Sequence, residues 1–460
     1  MKALKKLCNL TWLFAIVLSF NACEEKTKDT APWVSLFDNS TLEGWSVIGG
    51  KASYENLNGN IVGTSTMNTP NTFLKSDQKY SDFILEFEYK VDPKLNSGVQ
   101  IRSNTIPSYR DGVFHGYQIE IDPSDRAWSA GIYDEQRRGW LNTLANNPEA
   151  QKAFKQNDWN KYRIEAIGDT LKTWINGVPA AYLIDDMTAE GHIGLQVHDI
   201  GNDEEKNGTQ VIWKNIKIIT EDVSKYSQKM NLDPVITQNN LFGKEAEEGW
   251  KMLWDGKTTA GWKGAKLDSF PSSGWEMNDG VLSVLASGGG ESEAGGDIVT
   301  THLYSDFELK LDFKITEGAN SGIKYYVDTE VNKGAGSSIG LEFQILDDAR
   351  HPDAKLGNHE GSRTMGSLYD LIQADTNKVV HPIGEWNQAR ILSKNNHVEH
   401  WLNGRKILEY ERRSPDYLQL VKESKYKKWP NFGEADQGRI LLQDHGDLVF
   451  FRNIKIRSLK

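Results

Sequence analysis

The chain has 460 residues, 38% hydrophobic and 25% charged, with a formal net charge of -11. That length allows two or three domains with cores of their own, and the acidic balance argues against nucleic acid as a partner and favours a neutral or cationic ligand. Cys8 and Cys23 are the only cysteines, which excludes a disulfide framework, a zinc cluster of cysteines and a thiol nucleophile.

In chain order, Met1-Lys2-Ala3-Leu4-Lys5-Lys6, an apolar run from Leu10 to Phe20 and Asn21-Ala22-Cys23 follow the layout of a secretory signal peptide over residues 1–23. The run is too short to cross a bilayer as a helix. The small residue before Cys23 resembles the lipobox of bacterial lipoproteins, which makes Cys23 the lipidated N-terminus and the anchor to the membrane. Glu24-Glu25 resemble the surface-export signal of Bacteroidetes lipoproteins. The expected location is therefore the outer membrane, on the periplasmic or the cell-surface side.

The rest of the chain repeats itself. Trp33 to Asp38 and Gly44-Trp45 correspond to Trp250 to Asp255 and Gly261-Trp262. Asn96-Ser97-Gly98 corresponds to Asn320-Ser321-Gly322, Trp174-Ile-Asn176-Gly177 to Trp401-Leu-Asn403-Gly404, and Lys214-Asn215-Ile-Lys-Ile to Arg452-Asn453-Ile-Lys-Ile. Such an ordered series marks a duplication, with copies over 31–220 and 243–460 and a polar, unpatterned linker over 221–242. Period-two alternation in Phe83 to Val91 and Phe307 to Ile315 predicts half-buried strands, and each Asn-Gly pair favours a tight hairpin. With few helical signals, the fold class is all-β, two tandem sandwiches.

Gly-Glu385-Trp-Asn, Glu399-His-Trp-Leu-Asn-Gly, Leu-Gln-Asp-His445-Gly and, in the first copy, Gly116-Tyr-Gln-Ile-Glu120-Ile-Asp122-Pro-Ser-Asp125-Arg126 resemble the 3-keto-disaccharide hydrolase domain family, twice over nearly the whole mature chain. The resemblance implies concanavalin-like jelly rolls and action on glycosides whose carbon 3 has been oxidised to a ketone. A carbohydrate is then the substrate, and an upstream glycoside 3-oxidoreductase is the expected partner.

Alternation along Tyr117 to Asp122 puts Gln118, Glu120 and Asp122 on one face, and along Leu341 to Ile345 it exposes Glu342 and Gln344. Gln196 with His198, and Gln443 with His445, share a face of a second strand. The expected catalytic groups are Glu120 with His198 and Glu342 with His445, because elimination from a 3-keto sugar needs a general base and a general acid but no covalent nucleophile. Arg102, Arg126 and Arg137 are candidates to stabilise enolate charge or to pair with Asp122, Asp125 and Asp134. Trp128 and Trp140 offer stacking faces. Tyr133 and Tyr369 match in position, and Asp347 lies with the acidic loop near Gln344.

Two other readings share these residues. Glu120-Ile-Asp122 imitates the paired-carboxylate strand of a lichenase-like retaining β-glucanase, although Pro123 and Asp125 break the pattern. A non-catalytic sugar-binding lipoprotein needs only the tryptophans and the fold. No cofactor is required by the sequence. His351, His359 and His381, near Asp347, Asp348 and Asp353, leave a divalent metal open, without a recognised ligand spacing.

Overall fold

The computed structural model describes residues 31–459 except 108, 289 and 293, and leaves the Lys244 side chain undescribed. The signal segment and Cys23 lie outside the described residues.

Residues 33–460 form one compact unit holding two β-sandwiches. The site-bearing sheet of the first contains β1 (Trp45–Gly49), β2 (Thr72–Tyr80), β3 (Ser97–Thr105), β4 (Phe114–Ile121), β5 (Ile132–Glu135), β6 (Gly139–Asn142) and β7 (Gly191–Val197), in the spatial order β6-β5-β4-β3-β7-β2-β1. In the second it contains β8 (Trp262–Gly264), β9 (Ile298–Thr300), β10 (Asn320–Asp328), β11 (Ile339–Leu346) and β12 (Arg439–Leu442), in the order β8-β9-β12-β10-β11. Crossovers of this kind in two packed antiparallel sheets are the jelly-roll arrangement.

The outer sheets are built on Phe83–Val91 and Phe307–Ile315, over the same residues that alternation predicted. Phe83, Leu85 and Phe87 pack with Tyr117, Ile119 and Ile121 of β4, and Phe307, Leu309 and Leu311 with Leu341, Phe343 and Ile345 of β11. The inward residues of β4 and β11 thus build the cores, and their alternate residues are free to build a cleft. The two Asn-Gly pairs make their hairpins with both residues at positive φ, 51° and 83° at Asn176-Gly177 and 49° and 80° at Asn403-Gly404. That is the backbone a type I′ turn demands.

The 221–242 stretch is not an unstructured tether. Val235–Ile236 pair in parallel with Leu183 and Ile184, adding a strand to the first outer sheet. The two sandwiches are further joined by Arg452, which grips Asp186 with two hydrogen bonds of 2.6 and 2.9 Å, and by reciprocal bonds between Asn239 and Asn453.

Candidate functional site

In the second sandwich, Glu342 on β11 faces Lys324 on β10 across the ladder, with Nζ 3.6 Å from Oε2 and both side chains buried. The glycine of the Asn-Ser-Gly motif makes the room: a Cβ at Gly322 would overlap the Glu342 carboxylate. Lys324 also lies 3.9 Å from Glu291 and donates to Ser337, whose hydroxyl donates to Asp297. Burial raises the Glu342 pKa, opposed by the ammoniums of Lys324 and Lys425. Burial works against the charge on Lys324, but Glu342, Asp297 and Glu291 outweigh it and raise that pKa.

His445 reaches this carboxylate through two amides. Asn320 Nδ2 is 3.2 Å from His445 Nε2, and the Gln344 carboxamide is 3.2 Å from both Asn320 Oδ1 and Glu342 Oε1. Gln443 donates to Glu291 over 2.8 Å. The ring of His351 stands nearly perpendicular to that of His445 at 6.1 Å.

The last wall is specific to this copy. Residues 412–438, between the outer strand Arg405–Glu411 and β12, contain the helix Pro415–Glu423, started by the Ser414 hydroxyl accepting from Tyr417 N–H. The equivalent connection in the first sandwich is residues 185–190. The longer segment delivers Lys425, whose ammonium sits 4.2 Å from the centre of the Tyr369 ring. Burial lowers the Lys425 pKa, with Glu342 pulling it back. Tyr369 donates to Asp353 over 2.7 Å, Arg363 bridges Asp353 and Asp370, and Asp370 accepts from Lys425 N–H.

The first sandwich places Gln100 where the second has Lys324, Gln118 where it has Glu342, and Glu120 where it has Gln344. Glu120 accepts from Asn96 (2.8 Å) and Gln118 (3.1 Å), and Arg126 stands 3.6 Å away. Burial pushes its pKa up to about 7 against those hydrogen bonds. Trp128 and Trp140 meet edge to face at 4.8 Å, the Arg126 guanidinium lies 4.9 Å from each, and Tyr133 abuts Trp140 at 5.2 Å.

Several sequence expectations need correction. His198 does not pair with Glu120: its Nδ1 is 2.6 Å from the Asp199 carbonyl, and its acidic neighbour is Glu135. Arg102 sits at a β-bulge with φ 46°, which turns it away from the cleft to Ser81 O, Gly168 O and Asp82. Tyr326 does the same work at the matching bulge, donating to Ser305 O. Of the two roles open to Arg137, the structure shows the pairing with Asp134, beside a bond to Thr188, at 2.6 Å each. Asp122 is a turn staple, accepting from Ser124, Arg126 and Trp128 N–H, so it is not the second carboxylate a β-glucanase needs. Asp347 likewise accepts from Gly318 N–H, Ala349 N–H and Arg350. His359 lies by Glu423 and His381 by the Trp386 carbonyl, so the three loop histidines do not converge.

Sequence reasoning missed Lys324, Lys425, Glu291 and the two motif asparagines. Lys324 was findable: it follows Asn-Ser-Gly by two residues, and the same place in the first copy is Gln100. Lys425 carries no local signal, because only the tertiary path of 412–438 brings it to the cleft.

The sequence model of the 3-keto-alpha-glucoside-1,2-lyase-like domain matches residues 32–219 and again 249–457. The chain belongs to this family. A family relative, the 3-keto-disaccharide hydrolase of Bacteroides thetaiotaomicron, is 38% identical over 232 residues, which span 46% of this chain and 79% of that protein. Membership makes the chain an enzyme of the glycoside-hydrolase type. Among solved structures, a candidate glycosyl hydrolase from Parabacteroides distasonis is 33% identical over 49% of this chain and 100% of its own, with TM-score 0.42. A carbohydrate binding module from Bacillus subtilis is 16% identical over 38% of this chain and 95% of its own, with TM-score 0.27.

Proposed function

We propose that the second sandwich cleaves 3-keto glycosides by elimination followed by hydration. A ketone at carbon 3 acidifies the hydrogen on carbon 2 and puts the glycosidic oxygen β to the resulting carbanion. A base takes that proton, the electron pair forms the carbon 1–carbon 2 double bond, and the departing oxygen receives a proton from an acid. Water then adds across the double bond, so the net reaction is hydrolysis.

The observation that carries this reading is a buried carboxylate, Glu342, flanked by two ammoniums in a cleft that also holds His445. Enolate charge is best placed near cations, so the ketone belongs at the Lys425 end, with Glu342 as the base. Lys324 opposes the burial that raises the Glu342 pKa. His445, at the far end of the Gln344–Asn320 link, protonates the leaving oxygen. Attachment of this enzyme to the outer membrane through Cys23, fed by an oxidoreductase that makes the ketone, is the setting this chemistry suits.

The test is incubation of the purified chain with a 3-keto glycoside and with its unoxidised parent. Aglycone release from the keto form alone is expected, and release from the parent alone sinks the reading.

A further inference from the structure

We infer that the concave face of the first sandwich is a second carbohydrate site, which takes an uncharged sugar with its hydroxyls intact in preference to the 3-keto form. The charged pair of the reacting sandwich is replaced here by two neutral carboxamides, Gln100 and Gln118. No long connection delivers an ammonium, since residues 185–190 replace the Lys425 segment. What the face offers instead is hydrogen bonding. Gln100 and Gln196 are fully buried, with neither carboxamide oxygen nor nitrogen partnered among the described residues, and Gln118 Oε1 is likewise unpartnered there.

Leaving a buried polar atom unpaired costs about 1–3 kcal/mol, so a folded domain keeps several on one face only where something repays the loss. These are three acceptors and two donor groups on one face. Sugar hydroxyls both donate and accept, and so match both kinds. A ketone accepts only, and forfeits one of the three acceptor contacts.

The rim fits the same ligand. Trp128, Trp140 and Tyr133 form a half-buried aromatic corner beside Glu120 and Arg126, with apolar ring faces and polar groups at one edge. Such a corner packs against the hydrogens of a pyranose ring while polar groups reach its hydroxyls. Glu120 and Arg126 oppose each other in charge, so the corner favours neither an acidic nor a basic sugar.

Binding here does not require the second sandwich to cleave anything, so failure at one sandwich leaves the other standing. The experiment uses the full chain and its Glu342→Gln variant, titrated calorimetrically with trehalose, maltose and sophorose and with their 3-keto forms. At least one unoxidised disaccharide should bind both proteins, with Kd of about 0.1–1 mM, and more tightly to this sandwich than its keto form does. Trp140→Ala, at the rim, and Gln118→Leu, on the buried face, should each weaken that binding at least about tenfold. Circular dichroism reports whether each variant is folded. Absence of binding by all three parent sugars up to about 20 mM would overturn the inference. So would unchanged affinity in both folded variants, or tighter binding of the keto form that is lost in Trp140→Ala.

Discussion

Lys324 Nζ stands 3.6 Å from Glu342 Oε2 on the neighbouring strand, and the same two places in the first sandwich hold Gln100 and Gln118. The duplication has kept the frame and changed the chemistry on it. Buried opposite charges attract each other, whereas paired carboxamides can only donate and accept hydrogen bonds.

Removing one member of that pair takes from the other its nearest opposite charge. Lys324→Met should destabilise the protein by about 3–5 kcal/mol, and adding Glu342→Gln should recover part of the loss. Urea unfolding of the two variants checks this. Equal stability of Lys324→Met and the unsubstituted protein would show that the pair is not buried as described.

Glu120 supplies a pH signature. Its pKa is about 7 in the folded chain against 4.5 for an ordinary glutamate, so between these values the folded state keeps a proton that the unfolded state has lost. The resulting stability, about 3 kcal/mol, is fully present below about pH 4.5 and is lost as pH rises through about 7. Glu120→Gln has no such proton, so the stability gap between variant and unsubstituted protein should shift in the variant's favour from pH 4 to pH 8. Denaturation curves across that range measure it, and a pH-independent gap contradicts the burial of Glu120.

Lys425 should carry part of the rate through the enolate charge. Burial lowers its pKa from the ordinary 10.5, and burial raises that of Glu342 from 4.5, so the bell of kcat/KM against pH should be narrower than those two values. Lys425→Met should lower kcat by about 100-fold, and Lys425→Arg should retain part of the rate. A kcat for Lys425→Met within about threefold of the unsubstituted chain would show that Lys425 does not stabilise the enolate.

The strands were the most legible part of the sequence. Phe83 to Val91 and Phe307 to Ile315 alternate because one face of each strand meets a core, and the Asn-Gly pairs mark hairpins through backbone chemistry alone. Placing Gln118 and Glu120, or Glu342 and Gln344, on one face follows from the same period of two. Arg102 was misplaced because a bulge reverses that period: it follows the alternation in sequence and leaves the cleft in space. His198 was misassigned because its residue position fits the face while its ring follows Asp199 and Glu135. Lys425 lay beyond reach, since a residue carried in by a long connection obeys no strand pattern.

The central claim is that the second sandwich does the cleaving through Glu342. The most direct measurement is kcat of Glu342→Gln on a 3-keto glycoside, with the variant shown to be folded. A fall of about a thousandfold or more is predicted, because the carboxamide cannot take the carbon-2 proton. A rate within about threefold of the unsubstituted chain would contradict the claim and move the chemistry elsewhere.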